Sequence, residues 1–458
     1  MSKENVSIII KHPTVVTMDK DRRIIEDGAV AIDGNKIVAV GKASEIEEKY
    51  SADKVIDGKH KILMPGFVDM HVHNVQTLLR GIITDYEISI PPVWLRFLIP
   101  YEAFLKPEDV ELISTLTQLN MIEHGTTAFL EAGGPHADSI AKAMEKTGIR
   151  GVVTRSTVDM GETPEAMKAA TEHEIKESIR LVETWNGKYN GRVRAWFSLR
   201  QLILCSQELF HKFIELAKKY NVGITLHVSE AHKEIEFSLE HFKKRPIEHL
   251  YDIGFLGKNV VLSHAAFLTA KEVALIGKSG ASVAYCPSID HMLMPPPRVP
   301  EMLTAGVNVT IGSDGGWKTP IDLLNEIRLA SIIQKQYYGF PYHDRVAVDA
   351  ADFLEMITIN GAKALMWDDE IGSIEPGKKA DLVLIDVNRP HFVPINDLAT
   401  TIVYCASGDD VTTVIIDGKI VMEDRKFTTV DMEDILEKAR AKTVELMEKI
   451  RESWKKKQ

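Results

Sequence analysis

The chain has 458 residues, 45% of them hydrophobic and 26% charged, a balance that suits a soluble globular enzyme with one large core and one small one and excludes a disordered or membrane-embedded chain. A formal net charge of -11 argues against nucleic acid as a partner, because such binding needs Lys and Arg to neutralise phosphate. The three scattered cysteines, Cys205, Cys286 and Cys405, suggest neither a disulfide framework nor a thiolate metal cluster.

The N-terminus begins polar, and its first apolar run, "VSIII", is far shorter than the apolar region of a secretory signal. A cytoplasmic location is expected. Residues 1–63 alternate in short segments with a hairpin signal at Asp33-Gly34, and residues 369–428 repeat that style with Asp417-Gly418 at a second turn. Both ends therefore predict parts of one small β-sandwich domain. Between them, residues 64–368 alternate eight β-branched bursts with amphipathic helical stretches, which predicts an α/β fold, a (β/α)8 TIM barrel. Residues 429–458 read as an amphipathic helix docked on the barrel or on another subunit.

Barrel chemistry is built at the C-terminal strand ends, and polar residues gather there. His71 and His73 end the first burst in "PGFVDMHVHN", His227 and Glu230 the fifth, His264 the sixth and Asp314 the eighth. Residues two apart on a strand share a face, so His71 and His73 point to one place. An inward imidazole pair in apolar surroundings is costly unless a cation occupies it. With His227 and Asp314 the set suits one divalent ion, Zn²⁺ in first place and Fe²⁺ as the alternative. Glu230 is placed for proton transfer. His264 fits either as a hydrogen-bond partner of the attacking water or as a ligand of a second metal. Arg200, rather than a lysine, ends the fourth burst, which favours a mononuclear site.

In this order the residues resemble the amidohydrolase superfamily, and the likeness covers nearly the whole chain. "MPGFVDMHVHNVQTLLRG" is similar to its opening signature, "LHVSE" to its HxxE element, "LSHAAFL" to its sixth-strand histidine, "IGSDGGWKTPIDLLNEIRLA" to its eighth-strand aspartate and "IGSIEPGKKADLVLID" to its return into the small domain. The nearest branch holds S-adenosylhomocysteine and methylthioadenosine deaminases, melamine deaminase, atrazine chlorohydrolase, and guanine and cytosine deaminases. The resemblance implies metal ligation by His71, His73, His227 and Asp314, with Glu230 as proton shuttle, His264 orienting water and intermediate, and Asp314 also accepting a proton. Glu102, in "LIPYEAFL", falls where adenosine-type deaminases carry a substrate-binding glutamate. A homo-oligomer, commonly a dimer, is implied as well.

Departures from the pattern bear on substrate. "SLRQLILCS" places Arg200 where nucleoside deaminases have a histidine, and guanine deaminases use an arginine nearby to hold a ring carbonyl. "GGWKTP" and "SIDH" replace the usual loops, making Asp290, His291, Trp317 and Lys318 candidate pocket residues. The expected activity is hydrolysis of an exocyclic amine on a purine, pterin, pyrimidine or triazine ring by metal-held hydroxide, with release of ammonia. The alternatives are a triazine chlorohydrolase or N-dealkylating hydrolase, a cyclic-amide hydrolase, and a non-catalytic assembly protein on the same fold.

Overall fold

The computed structural model describes residues 3–89, 92–344 and 346–455. Seven strands precede the helical region: β1 (Glu4–Lys11), β2 (Thr14–Val16), β3 (Ile24–Ile25), β4 (Gly28–Asp33), β5 (Lys36–Lys42), β6 (Tyr50–Asp57) and β7 (Lys61–Pro65). The middle contributes β8 (Phe67–Val72), β9 (Thr126–Glu131), β10 (Arg150–Val153), β11 (Val193–Ala195), β12 (Phe197–Gln201), β13 (Ile224–Val228), β14 (Val260–His264), β15 (Ser282–Tyr285) and β16 (Asn308–Ile311). Four more close the chain: β17 (Leu382–Asp386), β18 (Val411–Ile416), β19 (Lys419–Glu423) and β20 (Lys426–Phe427).

All eight predicted bursts are strands, the fourth divided into β11 and β12 at Trp196. They form two parallel sheets, ordered β11-β10-β9-β8 and β12-β13-β14-β15-β16. β8 to β10 and β13 to β15 are buried at every position, as strands covered on both faces must be. Among the described residues no continuous ladder closes the two sheets into a ring. At one edge Asp314 N donates to His71 O at 2.8 Å, and at the other Trp196 N donates to Val153 O at 3.1 Å. The Trp196 indole lies so close to Gly223 that a Cβ there would come within 2.4 Å of the ring, so position 223 has room for glycine only.

The ends of the chain meet in two further sheets, β5-β4-β1-β6 and β20-β19-β18-β17-β7-β2-β3, the second mixing strands from both termini. Ile8, Val30, Ile32 and Leu63 from one end and Leu382, Leu384 and Ile415 from the other share one apolar core. The Asp417-Gly418 turn has both residues at positive φ, 50° and 75°, the geometry that matches strand twist in a two-residue hairpin. The C-terminal helix Met432–Lys455 packs on the helix Pro107–Glu123 through buried Leu446 and an ion pair of Lys442 Nζ with Asp109 Oδ1 at 2.9 Å. Among the described residues no helix is long and apolar enough to cross a membrane.

One buried charge cluster ties the middle sheets to the terminal ones. Arg150, fully buried at the start of β10, donates to both oxygens of Asp381 at 2.6 and 3.1 Å and lies 3.4 Å from Asp417 Oδ1. Removing Asp381 takes away both short bonds and leaves the buried guanidinium with the longer contact to Asp417, so Asp381→Ala should destabilise the chain by about 3–5 kcal/mol. Urea unfolding of the variant beside the parent checks this, and an unchanged midpoint would contradict it.

Candidate active site

The parallel strands deliver their polar ends to one point. The rings of His73, His227 and His264 lie 5.1, 4.8 and 4.9 Å from that of His71, centroid to centroid. His73 Nε2 and His227 Nε2 are 3.2 Å apart, and Asp314 Oδ1 is 3.9 Å from His73 Nε2. Donor atoms of His71, His73 and His227 lie within 4.8 Å of one another, as do those of His71, His264 and Asp314. The four residues expected to bind the ion are thus together.

Their protonation suits that role. Burial, followed by neighbouring positive charge, holds His71, His73 and His227 well below the usual imidazole range, so each ring is neutral with a free lone pair. Both ring nitrogens of His71 and Nδ1 of His73 are buried without a hydrogen-bond partner. Orphaned donors of this kind in a dry site fit a cation. The 3.2 Å gap between the two Nε2 atoms is close to the ~3.4 Å edge of a tetrahedron with Zn–N bonds of about 2.1 Å.

The backbone is bent to achieve this. Ser229, His264 and Asp314 have φ of 53°, 68° and 59°, in the left-handed region that non-glycine residues seldom adopt. Asp69, buried in β8, accepts from Ser313 N at 3.1 Å, from Ser313 Oγ, and from His71 N at 3.2 Å, bracing the first strand against the eighth. Burial pushes the Asp314 carboxyl up to about 6 against the pull of His264.

Beside the donor set, His264 Nε2 faces Glu230 Oε2 at 3.2 Å and Asp314 Oδ2 at 3.9 Å, while its Nδ1 meets Asp290 Oδ1 at 2.8 Å. Burial opposes a charge on His264, but Asp290, Glu230 and Asp314 together raise it to about 10. Burial lifts Glu230 above the ordinary carboxylate range.

These groups open into a cavity of about 820 Å³ lined by His73, Arg200, Gln201, His227, Glu230, His264, His291, Asp314 and Trp317, with an apolar wall of Trp94, Leu98, Phe267, Met292 and Leu293. Arg200, His291 and Trp317 line this cavity. Glu102 and Asp290, expected among the substrate contacts, are not among the lining residues. Glu102 sits behind Arg200, accepting from its Nη1 at 3.1 Å and from Gln76 Nε2 at 2.7 Å, and Asp290 sits behind His264. Both carboxylates are paired with the groups in front of them. Lys318 Nζ pairs with Asp85 Oδ1 at 3.0 Å outside the cavity.

Sequence reading misses Gln201, Gln76 and Asp69. Strict strand alternation turns Gln201 away from Arg200, but the β12–β13 ladder slips between Leu199 and Gln201, so both neighbours reach the cavity.

Comparison with known proteins gives the family. The amidohydrolase family model matches residues 62–421, and an imidazolonepropionase-like composite domain of bacteria matches residues 28–50. A 5-methylthioadenosine/S-adenosylhomocysteine deaminase of Thermoanaerobacter pseudethanolicus is 36% identical over 434 residues, 94% of this chain and 97% of the relative. A 5'-deoxyadenosine deaminase of Methanobrevibacter smithii is 39% identical over 427 residues, 92% and 94% of the two chains. The crystal structure of an adenosine deaminase from Xanthomonas campestris with zinc bound superposes with a TM-score of 0.90 at 28% identity, over 98% of this chain and 100% of that one. With a family model that matches residues 62–421, well over half of its length, and relatives above 30% identity along nearly all of it, the chain belongs to the amidohydrolase family.

Proposed function

We propose that the chain is a metal-dependent aminohydrolase that removes the exocyclic amine of an adenine-type nucleoside whose 5' arm is apolar or uncharged. The observation that carries this reading is the meeting of His71, His73, His227 and Asp314 with the Glu230–His264 pair on the floor of one large cavity. Two relatives above 30% identity, named for 5'-modified adenosines, support the ring. The apolar wall of Trp94, Leu98 and Met292 supports the arm. We read the two parallel sheets as arcs of one (β/α)8 barrel, residues 64–368, and the terminal sheets, residues 1–63 and 369–428, as a β-sandwich. The reading further includes zinc as the ion, supported by a nitrogen-rich donor set with one carboxylate, and a cytoplasmic homodimer.

His71, His73, His227 and Asp314 would hold the ion, which when bound lowers the pKa of water to ~7 and polarises the reacting centre. The protein's own groups do the rest. Glu230 carries one proton of the attacking water to the ring nitrogen beside the carbon that loses its amine; the second proton, accepted from the added hydroxyl by Asp314, passes to the amine, so that the C–N bond breaks, the ring carbonyl forms and ammonia leaves. His264, fixed through Nδ1 by Asp290, directs its Nε2 to the oxygen arriving at that carbon. Arg200, locked by Glu102 and by Gly133 O at 3.0 Å, offers its guanidinium edge to a ring acceptor.

Arg200 also favours a second reading, a purine carrying a ring carbonyl. Ammonia release from 5'-deoxyadenosine, 5'-methylthioadenosine, S-adenosylhomocysteine, guanine and melamine separates the two. Release from the adenosines first, with Arg200→His changing the adenosine-to-guanine ratio of kcat/KM by roughly tenfold or more, is expected. Release from guanine alone would overturn the nucleoside assignment.

A further inference from the structure

We propose that Gln201 is a positioning residue for Glu230, an inference that rests on the aminohydrolase reading above. Gln201 Nε2 donates to Glu230 Oε1 at 2.6 Å, and His264 Nε2 faces Glu230 Oε2 at 3.2 Å. Each oxygen of the proton carrier therefore has one fixed neighbour, one from β12 and one from β14. Glu230 needs both, because it lies just past β13 beside Ser229 at positive φ, outside any strand ladder, where a free glutamate side chain samples several rotamers.

Two features show that Gln201 is more than filler. It reaches Glu230 because of the slipped register between Leu199 and Gln201, a local departure from regular pairing of the kind that re-aims a side chain beside an active site. Its Oε1 is buried without any hydrogen-bond partner, although Gln201 itself is only 2% exposed. An apolar residue there would remove that unsatisfied acceptor, so the amide is kept against a local stability cost for what its nitrogen does.

Gln201→Met keeps length and volume but removes the donor. A hydrogen bond to a charged group is worth about a factor of 10–100, so kcat should fall by that much while KM stays within about threefold. A crystal structure of the variant should show the Glu230 carboxylate displaced from His264. If Gln201→Met does not fold, Gln201→Glu replaces the donor by an acceptor at the same shape and should give the same loss. A kcat within about twofold of the parent, a change confined to KM, or a Glu230 carboxylate unmoved in the crystal would overturn the role. Should the parent release ammonia from no heterocycle, the functional reading fails, and the position of Glu230 in the variant crystal alone decides the inference.

Discussion

Glu230→Gln should reduce ammonia release by roughly 10²–10⁴-fold, with every amine-bearing ring affected alike. The substitution isolates proton transfer. Glutamine has the shape of glutamate, its carbonyl can still accept from Gln201 Nε2, now 2.6 Å from Glu230 Oε1, and its amide stays beside His264. What it cannot do is take up a proton and hand it on. Burial holds the native carboxyl above its ordinary range, nearer the pH at which it both accepts and returns a proton. An amino group leaves a ring carbon only once it is protonated and can depart as ammonia, so no substrate escapes the requirement. The check is kcat and KM for the variant beside the parent, with metal content measured on both. Undiminished release at equal metal content would refute the proton path.

Much of this was legible in the sequence because it followed the two-residue period. His71 and His73 share a face and meet, and the eight bursts that carry the polar residues are eight strands of the structure, one of them interrupted. What alternation could not show were the places where the backbone leaves it. The slip before Gln201 brings two consecutive side chains into one cavity, and the left-handed turns at His264 and Asp314 set directions that a strand pattern does not contain. Partnerships were hidden as well. Glu102 and Asp290 are carboxylates near the site in sequence terms, yet a buried arginine and a buried histidine claim them, because an unpaired charge at that depth costs more than a lost substrate contact. The interruption of the fourth burst at Trp196, with β11 paired to β10 and β12 to β13, is likewise absent from a pattern in which Trp196 reads as one more apolar strand residue.

Loss of the ion should be as damaging as loss of Glu230. His71 is fully buried, and neither ring nitrogen has a protein partner. Burial and the nearby His264 and His73 keep the ring neutral, so a lone pair faces His73 and His227 with no hydrogen-bond donor for it among the described residues. His71→Ala removes a central donor while leaving Asp69 and Ser313 to brace the strand. The variant should therefore fold, bind little metal and release ammonia at roughly 10⁻³ of the parent rate or below. Elemental analysis of purified parent and His71→Ala, paired with ammonia release before and after chelation and zinc return, is the most direct test. One divalent ion per parent chain, less than about a tenth of that in the variant, and activity that leaves with the metal and returns with zinc are the predicted results. A parent that releases ammonia at full rate while carrying no transition metal would contradict the account.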